Sequence, residues 1–548
     1  MNQTYLKTND YLVFLIYFVV VASYGIWIYN KKKKEEESSN DFFLAEGSLT
    51  WWAIGASLIA SNISAEQFIG MSGNGFSMGL AISTYEWMAA ATLLVVGVFF
   101  MPIYLKNRIF TMPQFLNKRY NKTVSLIMAI FWLLLYILVN LTSILYLGAL
   151  AVSGVSGLDF NLCMWVLAIF AVIITIGGMK VIGFTDVIQV FFLIIGGLAT
   201  TYLAISLVST EYGTEGVVEG VRLMTQNADD HFHMIFKKGD THYMALPGLT
   251  VLIGGMWIVN LNYWGCNQYI TQRALGADLK TAREGILFAA FLKLLMPIIV
   301  TLPGIAAYVL HQKGLFQTEM LGDNGILNQD KAYPVLLNLL PEGLKGLSFA
   351  ALTAAIVASL AGKANSISTI FTLDIFREYL GKDTSEKNLV LIGRIVIVVA
   401  MVAAIVISPL MGIDKAGGFQ FVQRMTGLVS PGVFAAFIMG FFWKRTNSAG
   451  ALFAIVGGFL MAYTMYLDVF PGVSVFFDAT SWNEVPFLDQ MGMVFLICIA
   501  VMFALGYALP DERKGLEIDA KMFKVSTSFA IGSAIIFVAL VVIYWFFW

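Results

Sequence analysis

Charge is scarce in this 548-residue chain: Asp, Glu, Lys and Arg together supply 13% of it. Soluble domains carry about a quarter. With 58% hydrophobic residues and a mean hydropathy of +0.77, the chain is excluded from that class and assigned to a lipid bilayer. An excess of either sign is missing too, since a formal net charge of −1 gives a nucleic acid or other polyanion nothing to bind. Cysteine is reduced to Cys163, Cys266 and Cys498, each inside an apolar run. An odd number so placed reads as small buried hydrophobes, not a disulfide framework. The four histidines, His231, His233, His242 and His311, lie in or beside hydrophilic stretches, and no Ser/His/Asp or paired-aspartate set occurs within the apolar runs. That argues against an intramembrane enzyme. "DDHFH" at 229–233 has ligand-like spacing, but a lone His-x-His in a solvated loop reads as structural.

Long apolar runs, by contrast, are abundant. Stretches of about 20 such residues span a bilayer, and fourteen candidates begin near residues 11, 51, 81, 123, 160, 184, 247, 285, 346, 389, 418, 447, 488 and 525. The first is followed by "KKKKEEE", the reverse of a secretory signal's charge order, so it reads as a retained helix with its N-terminus outside. With that orientation, Lys and Arg favour the cytoplasmic loops by about threefold, as the positive-inside rule requires. An even number of spans then puts the C-terminus outside as well. The longest loops, 209–246 and 312–345, fall outside and have room for short helices or a lid but not for an independent core. Aromatic residues, 14% of the chain, read mostly as packing and interfacial belts.

Two of the runs are internally polar. "SLIASNISAEQFIGMSGNG" at 57–75 places Asn62, Ser64, Glu66 and Gln67 at membrane depth, and "GGMWIVNLNYWGCNQYITQR" at 254–273 repeats the mixture around Asn260. Irregular backbone at that depth is tolerated only where it is buried in protein or lines a wet cavity, and paired interruptions mark the substrate site of transporters built from inverted repeats. The two fall in the first and sixth helices of a five-plus-five arrangement. Glu86, Asp186, Lys293, Lys363, Gln423 and Arg424 add further polar groups within apolar frames. Each costs about 2.5–3.5 kcal/mol at a helix centre if charged, so such residues face a cavity and pair with one another.

"ASNISAEQFIGMSGNG", "YEWM", "TDVIQVFF", "NYWGCNQYITQR", "LPGIAAYV" and "TGLVSPG" closely resemble the sodium/sugar branch of the solute:sodium symporter family, in order and spacing, over nearly the whole chain. The resemblance implies an all-α membrane protein of about 14 transmembrane helices with a LeuT-like inverted-repeat core. Its parts would be an N-terminal extra helix and basic loop (1–50), a first repeat (51–208), an external loop (209–246), a second repeat (247–443) and C-terminal extra helices (444–548). It implies a sugar held by Gln67, Glu86, Asn260, Lys293 and Gln423, with Tyr263 stacked beneath the pyranose and Asn62 either a ligand or a stabiliser of the break. Glu86 and Lys293 would offset each other's charge. Met71, Tyr85 and Phe419 would close over the sugar, and the sodium ligands would be carbonyl or hydroxyl oxygens of Ala60, Ile63, Ala355 and Ser359.

The chain also departs from its relatives. Ala358 stands where they carry a hydroxyl, Ala89 where they carry a serine, Arg424 where they carry an acid, and Lys363 where they carry an uncharged side chain. Lys363 lies four residues after Ser359, on the same helical face. We expect it to reach Asp186, which the family places on the sodium exit path, in an ion pair that gates or replaces sodium; snorkelling toward the cytoplasm is the alternative.

The sequence thus reads as a multi-pass protein of the cell inner (plasma) membrane, a sodium-coupled symporter of a galactose- or glucose-like hexose with Na+ as coupling ion. Its partners are the sugar, sodium and the lipid bilayer, with no nucleic acid; oligomeric state is not encoded. A polyol such as inositol, an acidic sugar or proton coupling are the alternatives, and a passive channel or a nutrient sensor are weaker ones.

Overall fold

A computed structural model describes residues 6–31, 49–322, 325–410, 418–469, 479–509 and 515–548. The basic run after the first helix, from Lys32 on, lies outside them. Helix dominates, and among the described residues the sole strand-like pairing is an isolated bridge between Leu321 and Leu327. All fourteen expected runs fall on helix. Among the described residues, ten helices are long and apolar enough to cross a membrane, or eleven if the bent pair Gly418–Gly427 and Ser430–Phe442 is one span. The shortfall against fourteen has local causes. Phe160–Ile176 is only 17 residues long, and the runs beginning near 51 and 247 are broken.

Both breaks occur at the expected polar stretches. The Trp51–Asn62 helix stops as Ile63 turns extended (φ −77°, ψ 93°). The chain restarts in a π-helical turn, Glu66–Met71, and a short helix, Ser72–Met78. Ser64 and Gln67 serve the restart: the Gln67 amide oxygen accepts from the Ser64 N–H at 3.2 Å, and the Ser64 hydroxyl accepts from the Glu66 N–H at 3.2 Å. In the second half, Gly255–Gly265 ends at Cys266, and Asn267 caps Gln268–Leu275 by accepting from the Tyr269 N–H at 3.1 Å. Side-chain amides thus satisfy termini that would otherwise be orphaned in hydrocarbon.

Burial sorts the helices into layers. The apolar window of Leu344–Leu380 is 89% buried and that of Thr527–Phe546 only 17%. The first is therefore central, and the second meets lipid with residues such as Val538 and Val541. The long Leu279–Gln312 helix packs along both halves of the first broken helix, and glycines set the distance. A Cβ on Gly285 would lie 2.9 Å from the Trp51 carbonyl oxygen, and one on Gly304 only 2.0 Å from that of Ser72. Small residues let helix backbones approach where apolar side chains gain nothing over lipid.

The two long loops, 209–246 and 312–345, form short helices seated on this core, including Val217–Asn227 and Ala332–Leu337. His231 is buried, stacked on Tyr308 with ring centroids 3.9 Å apart and hydrogen-bonded to the Phe76 carbonyl at 3.1 Å. It therefore packs the "DDHFH" segment into the core, and among the described residues no group of three His, Cys, Asp or Glu could hold a metal. In the other loop, Asp330 accepts a hydrogen bond from the Gly418 N–H at 2.9 Å, tying the loop to the start of the Gly418–Gly427 helix.

The glycine crossing generates a test. Gly304→Ala is expected to cost about 1–3 kcal/mol, as overpacking does, and to lower the thermal midpoint of the detergent-purified protein. Gly492→Ala, where a Cβ would meet nothing within 4 Å, should leave it unchanged.

Candidate functional site

The two breaks meet at one internal chamber of about 60 Å³. Its wall includes Asn62, Gln67, Tyr85, Glu86, Asn260, Tyr263, Lys293, Phe419 and Gln423, so nine of the expected substrate and gate residues are brought together from helices distant in sequence. Met71 is fully buried but is not part of the wall.

Lys293 organises this wall. It sits midway along Leu279–Gln312, its side chain 1% exposed, and its ammonium is 2.5 Å from the Glu86 carboxylate, itself 3% exposed. It also donates to the Asn62 side-chain oxygen and lies 5.3 Å from the Trp264 ring centroid. Asn62 donates in turn to the Tyr263 hydroxyl at 3.2 Å. One chain of contacts therefore runs from the ion pair through Asn62, the last residue of the first half of the first broken helix, to Tyr263 on the second broken helix. Deleting one partner of such a buried pair costs about 3–5 kcal/mol, because the other charge is left stranded.

The remaining polar groups keep free valences toward the chamber. Asn260 donates to the Met256 carbonyl at 3.1 Å, leaving its side-chain oxygen available. The Gln67 oxygen is used in the helix restart, leaving its NH₂ group available. Donors and acceptors fixed this way suit a ligand that itself both donates and accepts. On one side, the Tyr85 and Phe419 rings meet edge to face, centroids 5.0 Å apart and planes at 87°, and form an aromatic closure.

At the first break, the Ser359 hydroxyl lies 3.3 Å from the Ala60 carbonyl oxygen and 3.4 Å from that of Ser61. Two of the four expected cation ligands, Ala60 and Ser359, are thus in contact, and Ala355 and Ile63 are buried beside them on the same two elements. The Tyr269 hydroxyl also donates to the Ser61 carbonyl.

The expected ion pair between Lys363 and Asp186 does not form. Asp186 accepts from the Ser57 hydroxyl at 2.6 Å, and Arg273 donates to that same hydroxyl at 3.0 Å, so the Arg273 guanidinium is the cation beside it. Lys363 turns into the chamber, donates to the Asn140 side-chain oxygen at 3.2 Å and stands over the Tyr269 ring, 4.0 Å from its centroid. Lys363 therefore does not snorkel. Arg424 is exposed and lines a separate pocket with Trp482 and Gln490, away from the chamber that its neighbour Gln423 faces. Ala89 lies on the wall and Ala358 is buried.

Sequence reasoning missed Glu66, Asn140 and Trp264 as wall residues and Arg273 as the partner of Asp186. Asn140 had a visible signal: a lone amide in "LYILVNLTS", inside what proves to be a π-helical turn, Tyr136–Leu141. Such turns often mark functional sites.

Comparison with known proteins places this geometry. The profile described as Sodium:solute symporter family matches residues 42–458. The chain is 46% identical over 551 residues to a "Sodium/glucose cotransporter" of Vibrio parahaemolyticus, covering 98% of each. It is 34% identical to the human "Sodium/myo-inositol cotransporter 2", over 84% of this chain and 70% of the relative. Among solved structures, the substrate-bound outward-open state of a Na+-coupled sialic acid symporter superposes with a TM-score of 0.77 at 21% identity, over 93% of this chain and 100% of the other; at that identity the likeness is one of all-helical fold alone. With helices broken at the expected places and a family profile spanning most of its length, the chain belongs to the sodium:solute symporter family, a family of sodium-coupled membrane transporters and not of enzymes.

Proposed function

We propose that this protein couples inward sodium movement to uptake of a monosaccharide of the glucose or galactose type by alternating access. The observation that carries the proposal is the Glu86–Lys293 pair at the junction of the two broken helices, in a chain 46% identical to a sodium/glucose cotransporter. Gln67, Glu86, Asn260, Lys293, Gln423 and Asn62 bind the hydroxyls, and Tyr263 carries the apolar face of the ring. Met71, Tyr85 and Phe419 form the outer gate. Sodium, as co-substrate, sits at the break between the Ala60, Ile63 and Ala355 carbonyls and the Ser359 hydroxyl, while Asp186 lies on its exit path. Carbonyls of an unwound turn hold a hard cation without adding charge.

Residues 51–208 and 247–443 form the two repeats, residues 1–50 and 444–548 the flanking helices, and both termini lie outside the cell's inner membrane. Sodium binds the outward-facing arrangement, sugar completes the chamber, and rocking of the repeats releases both inward. One charge moving through 100 mV supplies about 2.3 kcal/mol, roughly a fiftyfold gradient before the sodium gradient is added.

A second reading, a cyclic polyol as substrate, is favoured by the human myo-inositol relative. An acidic sugar is disfavoured by Arg424, which faces away from the chamber.

In proteoliposomes, labelled glucose or galactose is expected to accumulate with external sodium and not with potassium, and labelled myo-inositol to accumulate in the same way only if the second reading holds. Absence of sodium-dependent uptake across that panel would refute both. Glu86→Gln should weaken sugar binding about 10- to 100-fold, the loss expected of a charged hydrogen-bond partner, read by equilibrium binding. Ser359→Ala should instead raise the sodium concentration for half-maximal uptake about tenfold, the effect of one lost ligand of about 1.4 kcal/mol, while the sugar KM at saturating sodium stays near wild type.

A further inference from the structure

Lys363 carries the fourth charge on the chamber wall, and neither the sugar site nor the sodium site uses it. The residue is 4% exposed, so its surroundings must compensate an ammonium. An ammonium has three N–H donors, and this one makes a single hydrogen bond, to Asn140. Ring faces supply the rest: Tyr269, Tyr136 and Tyr263 lie with centroids 4.0, 5.2 and 5.9 Å from the nitrogen. Such faces attract cations, the more so when desolvated. The Glu66 carboxylate shares the same chamber and attracts the ammonium without touching it. The Ser143 hydroxyl holds that carboxylate in place by donating at 2.9 Å. The other charge bearing on Lys363 is the Arg273 guanidinium, stacked 4.9 Å from the Tyr269 centroid.

A carboxylate, an amide oxygen and three aromatic faces around one point form the donor set of a monovalent cation site, and here a lysine fills it. The cage also adjoins the first break. Lys363 is one turn beyond Ser359 on the same face of its helix, and the ring it caps belongs to Tyr269, whose hydroxyl is bound to the Ser61 carbonyl that Ser359 also approaches. We propose that Lys363 is a tethered cation occupying a monovalent-cation site made by Glu66, Asn140 and the faces of Tyr136, Tyr263 and Tyr269, so that the protein binds one free cation fewer than the same cage would without it. The placement beside a sodium site rests on the function proposed above; the cage itself does not. With Lys363 in place, the four chamber charges, Glu66, Glu86, Lys293 and Lys363, cancel.

The test is the number of sodium ions bound at saturation, measured with radiolabelled sodium on the detergent-purified full chain. Lys363→Ala should bind one ion more than wild type, and Lys363→Ala with Glu66→Gln should return to the wild-type number. Equal numbers in all three would overturn the proposal. Should Lys363→Ala not be recovered folded, Glu66→Gln alone leaves the ammonium uncompensated near the break and is expected to raise the sodium half-saturation about tenfold through like-charge repulsion; an unchanged value would overturn the proposal equally. Sodium bound by Lys363→Ala but not by wild type would support the tethered cation while removing the sodium-coupled reading. Sodium bound by neither would remove both.

Discussion

One buried ammonium holds the centre of this protein together. Lys293 is buried, so its charge is met by the Glu86 carboxylate and the Asn62 amide oxygen, and each comes from a different helical element. Satisfying Lys293 therefore fixes where the first broken helix ends, how the Thr84–Val95 helix approaches it, and which face of Leu279–Gln312 turns inward. The extension from Asn62 to Tyr263 carries the constraint to the second broken helix. A folded chain that placed these residues elsewhere would strand a charge in a low-dielectric interior at a cost of several kcal/mol, a large share of a protein's net stability.

The interrupted backbone follows from the same logic. Breaking a helix at membrane depth exposes carbonyls and N–H groups that lipid cannot satisfy. Here Ser64 and Gln67 serve one break and Asn267 the other, while the Ser359 and Tyr269 hydroxyls reach carbonyls left at the end of the first. Polarity that is costly in an intact span is required in a broken one. Function uses the surplus: the oxygens and amides left over after the backbone is served are the ones that face the chamber.

Much of this was legible from the sequence because membrane depth penalises polarity so heavily. "ASNISAEQ" and "NYWGCNQY" stood out against apolar frames, and cost alone required the charged residues to pair, while the family resemblance singled out Glu86 with Lys293. The direction in which long side chains turn was not legible. Lys363 could reach toward Asp186 or snorkel toward the cytoplasm, and it does neither: it turns to the tyrosine faces around Asn140, because Arg273 already stands beside Asp186. Gln423 and Arg424 are adjacent in sequence yet face different cavities, which helical rotation dictates but a motif match does not reveal. The number of helices that pass as complete spans was likewise obscured by the breaks themselves, which divide an apolar run without making it less apolar.

The bond between Asp330 and the Gly418 N–H has a mechanical meaning. Gly418 immediately precedes Phe419, half of the aromatic closure beside the chamber, so Asp330, in the loop after Leu279–Gln312, acts as a doorstop for a ring at the core. Swinging that ring aside means releasing the stop, so a loop well apart in the chain has a mechanical handle on the compartment at the core.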